Sequence, residues 1–141
     1  MMTTHTILQP MAVLALWTLL VLLLVPIARF KAGARGEVDF DDFKYGESPR
    51  VPTATRVPNR VFMNLLEVPV LFYLACLVAV ITQHVTPTLL MLAWAYVALR
   101  VLHSVIYLGY NHVPHRLTVF ALSNVVAAVM WCLLLTRLWA L

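Results

Sequence analysis

Residues 60–81 read RVFMNLLEVPVLFYLACLVAVI, an apolar run that carries Arg60, Asn64 and Glu67 near its start. From Val61 to Ile81 it is long enough to cross a bilayer as a helix, which takes about 20 apolar residues. A charge at the centre of such a helix costs at least about 2.5 kcal/mol, so the polar groups must face a bundle interior, a partner chain or a water-filled cavity. At about 100° per residue the three fall within an arc of about 60°, forming one stripe. Pro69 removes the hydrogen bond to the Leu65 carbonyl, which predicts a kink inside this span.

Three further stretches qualify as spans, residues 8–27, 89–110 and 119–138. Of the 141 residues, 62% are hydrophobic and 11% charged, far from the composition of a soluble globular domain. The expectation is an all-α, integral membrane four-helix bundle, a single domain over residues 1–141, in contact with membrane lipids. The first apolar run has no Lys or Arg before it and Arg29, Lys31 and Arg35 after it, so it reads as a retained helix rather than a secretion signal. Short connections after the second span make up-down-up-down the simplest topology. Pro26 and Pro87 read as helix-end punctuation.

Residues 28–59 differ in character, holding three of the four glycines and five of the six acids. They predict a long polar loop. Arg29, Lys31, Arg35, Lys44, Arg50 and Arg56 place it on the cytoplasmic side, with both termini on the opposite side. Its acidic run EVDFDD lacks calcium-loop spacing and reads as a solvated face. The net charge of +4 sits beside an acidic bilayer, and no interleaving of aromatic and basic residues points to nucleic acid. Cys76 and Cys132 have no metal or redox spacing and read as small buried hydrophobes, with no metal site expected.

On the third span, Tyr96, Arg100, His103 and Tyr107 share a second arc of about 60°. Arg116 stands just before the fourth apolar run. Glu67 is the one acid outside the loop, against Arg60, Arg100 and Arg116. Glu67 could satisfy Arg60 or Arg100 while the remaining cations snorkel to the interface. Pairing still leaves positive charge over, and a planar guanidinium binds carboxylates bidentately, so an anionic ligand is the sharper reading. Taken singly, His103 reads as a helix-helix hydrogen bonder and the tyrosines as interface aromatics.

The pattern R-x-x-x-N-x-x-E at Arg60, Asn64 and Glu67, with RVLHSVIYLGYNHVPHR at residues 100–116, resembles the MAPEG family of membrane-associated proteins in eicosanoid and glutathione metabolism. The likeness runs from the first span to the start of the fourth, and is greatest to the prostaglandin E synthase and glutathione transferase branches. It implies a homotrimer with glutathione bound as co-substrate between adjacent subunits near the cytoplasmic face. By position, Arg60, Asn64, Glu67, Arg100, His103 and Tyr107 would contact glutathione, Arg29 is a further candidate, and Arg116 would be catalytic, stabilising the thiolate. The chemistry agrees: arginines suit the two carboxylates of glutathione, Glu67 its ammonium and Asn64 its peptide groups.

The resemblance implies conjugation of glutathione to lipophilic electrophiles in detoxification, or reduction of lipid hydroperoxides. Leu117 and Phe120 stand where some relatives carry hydroxyls, which argues against an isomerase. Lowering a thiol pKa from about 8.5 to about 6.5 takes roughly 2.7 kcal/mol and raises the thiolate fraction at pH 7 about 25-fold. Reduced nucleophilicity takes back about 6- to 10-fold, so most acceleration has to come from positioning. The alternatives are a non-catalytic lipid-binding or scaffold member of the family and an ion or solute pathway along the stripes.

Overall fold

The computed structural model describes residues 4–139. A short 3-10 turn leads into five α-helices: α1 (Leu8–Ala34), α2 (Thr53–Leu66), α3 (Pro69–Ile81), α4 (Pro87–Leu108) and α5 (Val113–Leu138). Helices α2 and α3 together make one span, so the chain has four helices long and apolar enough to cross a membrane. The all-helical, four-span architecture expected from composition is what the described residues form.

The first span outlasts its apolar stretch. Hydropathy falls after Ile27, yet α1 has 27 residues, about 40 Å of helix, longer than the roughly 30 Å hydrocarbon core. Pro26 lies inside α1 and does not end it, correcting the reading of that proline as punctuation. What ends α1 is Gly36 at φ +68°. Its N–H donates to the Gly33 carbonyl at 2.9 Å, and that of Glu37 donates to Ala32 at 3.0 Å. This left-handed cap satisfies carbonyls that the last turn leaves open.

The loop after α1 is more ordered than a solvated acidic run. Asp42 is buried and accepts hydrogen bonds from the Asp39 N–H at 2.9 Å and from the Ser48 hydroxyl. These bonds, the backbone one first, hold its carboxyl below the ordinary value of 3.8. Ala32, Val38 and Val51 form a small apolar cluster beside it. Ion pairs among the described residues all lie here, joining Arg29 to Glu47, Arg35 to Glu37 and Arg50 to Asp39.

Pro69 does more than kink the second span. The helix stops at Leu66, Glu67 takes φ −80° and ψ −96°, and Pro69 opens α3 at its first position. A proline there sacrifices an N–H that would have no helical partner in any case. Helix α4 starts just as locally, with Pro87 in its first turn and Thr86 as the cap, its side-chain oxygen accepting from the Leu89 N–H at 3.2 Å.

In the bundle, α4 packs along α5 and α1 along α2, while α3 meets α5 and α1 meets α4. Ala75, Cys76, Ala79 and Ala93 are buried and small, allowing close approach of the backbones. Phe72 stacks on Tyr96 with centroids 4.5 Å apart. Trp131 on α5 donates its indole N–H to the Leu71 carbonyl on α3 at 3.0 Å. Cys76 is buried but Cys132 is exposed, so only one of the two cysteines is the core hydrophobe expected. Leu16, Leu19, Leu20 and Leu23 of α1 point outward, the arrangement lipid tails or a second copy would accept.

Candidate functional site

The polar face of α4 turns inward. Tyr96 and Arg100 are fully buried and His103 nearly so, because the same arc that carries them also packs on α2 and α5. Arg100 donates from Nε to the Tyr96 hydroxyl at 3.0 Å, from Nη1 to Asn64 Oδ1 at 3.2 Å and from Nη2 to Asn124 Oδ1 at 3.0 Å. Its guanidinium also lies 5.0 Å from the centroid of the Phe120 ring. Every one of these partners is neutral. The buried cation is thus held by dipoles and rings, and none of the ion pairs of the described residues involves it.

One turn further along α4, His103 Nδ1 lies 3.1 Å from the main-chain carbonyl of Arg116. A carbonyl only accepts, so Nδ1 carries the proton and Nε2 of the neutral ring is an acceptor. Nε2 is buried and has no hydrogen-bond partner among the described residues. This bond ties the first turn of α5 to α4. Arg116, on that turn, bonds the Asn111 side chain at 2.7 Å and sits 3.9 Å over the Tyr107 ring. The positive end of the α5 dipole adds to its charge there.

These groups enclose a cavity of about 260 Å³ lined by Asn64, His103, Tyr107 and Arg116. Val113, Leu117 and Phe120 complete its wall with carbon. Arg116 is its one charged lining residue, and no acid lines it. The arrangement suits an anion at Arg116 with polar contacts on one side and an apolar reactant on the other.

Of the residues singled out in the sequence, four therefore meet at one cavity. Arg100 stands behind it, in contact with Asn64 and not among the lining residues. Arg60 and Glu67 are exposed on the surface of the single chain. The break after Leu66 removes Glu67 from the regular helical face that the 100° spacing assumed. Arg29 is elsewhere: it pairs with Glu47 at 3.6 Å, packs on Phe43 and lines a separate crevice of about 610 Å³ beside the end of α1.

Sequence reasoning missed Asn124 and Asn111. Asn124 had a signal, since Arg116, Phe120 and Asn124 recur every fourth residue and so share one face of α5. Asn111 had none, because an asparagine in a turn between helices is unremarkable.

No curated protein and no solved structure gives a match to the chain. The MAPEG family model matches residues 7–136, nearly the whole chain, and with the four spans and the buried polar face already described, the chain belongs to the MAPEG family.

Proposed function

We propose that the chain is a glutathione-dependent membrane enzyme that joins glutathione to lipophilic electrophiles or uses it to reduce lipid hydroperoxides. Family membership is consistent with glutathione-related membrane chemistry. The observation that carries the reading is the acid-free cavity whose single charge is Arg116. Its guanidinium, braced by Asn111 and Tyr107, pairs with the thiolate after the thiol proton has passed to water. In conjugation the thiolate sulfur forms a bond to carbon and the leaving group departs as an anion. In peroxide reduction the thiolate attacks the terminal oxygen, breaking the O–O bond to give the sulfenic acid of glutathione and an alkoxide that leaves as the alcohol after taking a proton from water. A second glutathione then displaces water from the sulfenic acid to complete the disulfide.

Leu117 and Phe120 present only carbon to the cavity, which favours a greasy second substrate and leaves those two positions without a hydroxyl for an isomerisation. A volume of about 260 Å³ falls just below that of ligand sites, which run from about 300 Å³. That fits a site completed by a neighbouring copy, as in a homotrimer. Arg60 and Glu67, charged and exposed on a membrane-spanning element, are the groups such a neighbour would cover.

The test is thermal unfolding and turnover of the detergent-purified protein. Reduced glutathione at millimolar concentration should raise the melting temperature and produce thiolate absorbance. In Arg116→Ala the absorbance should vanish and kcat/KM for chlorodinitrobenzene should fall about 100-fold or more. No response of wild-type protein to glutathione would sink the reading. A non-catalytic lipid-binding role draws on the larger, mostly apolar crevice beside Arg29. Steady turnover dependent on Arg116 excludes it.

A further inference from the structure

The crevice of about 610 Å³ at the end of α1 shares no lining residue with the Arg116 cavity. Its volume lies within the roughly 300–1,000 Å³ of ligand sites. One wall is a single face of α1, where Val25, Arg29 and Gly33 follow one another at every fourth residue. The other is the loop, which turns back after the cap at Gly36 and brings Val38, Asp39 and Phe43 to the crevice. At 1.5 Å per residue the α1 wall from Val25 to Ala34 is about 13 Å long. It starts inside the apolar stretch that ends at Ile27 and finishes in the polar segment beyond. A crevice so placed crosses the boundary between acyl chains and headgroups.

The lining carries one cation and one acid, and neither is fully used within the chain. Arg29 meets Glu47 at 3.6 Å, beyond hydrogen-bond length, and its Nε is buried with no hydrogen-bond partner among the described residues. Asp39 is exposed and meets Arg50 only at 3.9 Å. Gly33 leaves the floor open, since a Cβ there would meet nothing within 4 Å.

We propose that this crevice is a site for one zwitterionic phospholipid of the surrounding bilayer, with its phosphate at Arg29, its ammonium at Asp39 and an acyl chain along Val25, Pro26 and Phe30. Charge complementarity selects the headgroup. A net anionic lipid would answer Arg29 and set its surplus charge against Asp39, and a cationic amphiphile would do the reverse. The site does not depend on glutathione chemistry, and a lipid held here is compatible with a catalytic chain.

The test uses the full-length protein in detergent, with phosphatidylethanolamine and phosphatidylglycerol of identical acyl chains as probes, read by native mass spectrometry and thermal unfolding. Phosphatidylethanolamine should saturate at one molecule per chain and bind at least about tenfold more tightly than phosphatidylglycerol. Glycerophosphoethanolamine, the same headgroup without acyl chains, should bind at least about 100-fold more weakly, which separates a membrane lipid from a soluble phosphate ester. Gly33→Leu puts a side chain on the open floor. It should weaken phosphatidylethanolamine at least about tenfold while the lipid-free protein melts no lower than wild type, because leucine is the better helix former. Asp39→Asn should bring the two lipids to about equal affinity, and Arg29→Gln should weaken both.

Equal binding of the two lipids by wild-type protein removes the headgroup argument and overturns the proposal. Unchanged lipid binding in Gly33→Leu places the lipid elsewhere and overturns it too. Glutathione that displaces phosphatidylethanolamine would assign Arg29 to the peptide instead of the lipid, with the same result.

Discussion

Two polar stripes of the same width lie on neighbouring spans, and the fold treats them in opposite ways. On α4, Tyr96, Arg100 and His103 are buried, and three oxygen atoms accept hydrogen bonds from Arg100 within the same chain. On the second span, only Asn64 turns toward that cluster, while Arg60 on α2 and Glu67 just past its end stand exposed. Both stripes have to avoid lipid tails, as the cost of burying charge in hydrocarbon demands. The first does so by packing, and the second does so only if another copy or the headgroup region covers it. Helical spacing says which side chains share a face, and the neighbouring helices say which way that face looks.

The largest contrast should come from paired substitutions of the two arginines. Arg100→Leu should destabilise the protein by on the order of 2–4 kcal/mol, since the buried Tyr96 hydroxyl and the part-buried Asn64 and Asn124 oxygens lose a charged donor while the desolvation cost of the guanidinium is returned. Arg60→Leu should change stability by no more than about 0.5 kcal/mol in the dissociated chain. Reversible unfolding in mixed micelles reads both, and equal losses would erase the distinction between the stripes.

Next in size is the covering of the outer stripe. In a Cys132→Ser background, Glu67→Cys labelled with a benzophenone maleimide should photo-crosslink to a neighbouring chain in membranes, whereas the buried Cys76 should stay unlabelled. Crosslinks absent at position 67 would mean that no second copy covers this charge. A smaller effect belongs to the packing that frames α3: Trp131→Phe removes the bond to the Leu71 carbonyl and should cost about 1 kcal/mol. It should leave glutathione affinity unchanged, because Trp131 does not line the cavity.

The smallest effect lies in the loop. Asp42 has its folded-state carboxyl pKa held below 3.8 by the Asp39 N–H and the Ser48 hydroxyl. Its contribution to loop stability is therefore fully present above that value and is lost as pH falls through the lower folded one. Amide hydrogen exchange at Asp39 should accelerate on acidification below about pH 4. In Asp42→Asn the exchange should already be faster at neutral pH and show no acid step.

Much of this was legible beforehand for identifiable reasons. Span number follows from hydropathy because a bilayer penalises polarity regardless of context. The inward face of α4 follows from the presence of Arg100 and His103 on one arc, since neither could be left in lipid. Where α1 ends was not legible from hydropathy. Polarity marks the membrane boundary, but the helix runs on to the cap at Gly36, whose signal is local and conformational. Nor was the split at Glu67, because a proline in a pattern announces a disturbance without saying whether it bends a helix or starts a new one.

The sequence by itself determined the solvent this chain lives in, the number of its spans and the polar inventory they carry, because those depend on residue type and periodicity alone. Only the tertiary structure decided that Arg100 serves the wall rather than the cavity. It also decided that Arg116 is the one charged residue lining that cavity, beside Asn64 and His103. Those outcomes depend on which atom meets which partner across three helices, and directional hydrogen bonds between distant segments leave no trace in spacing along the chain.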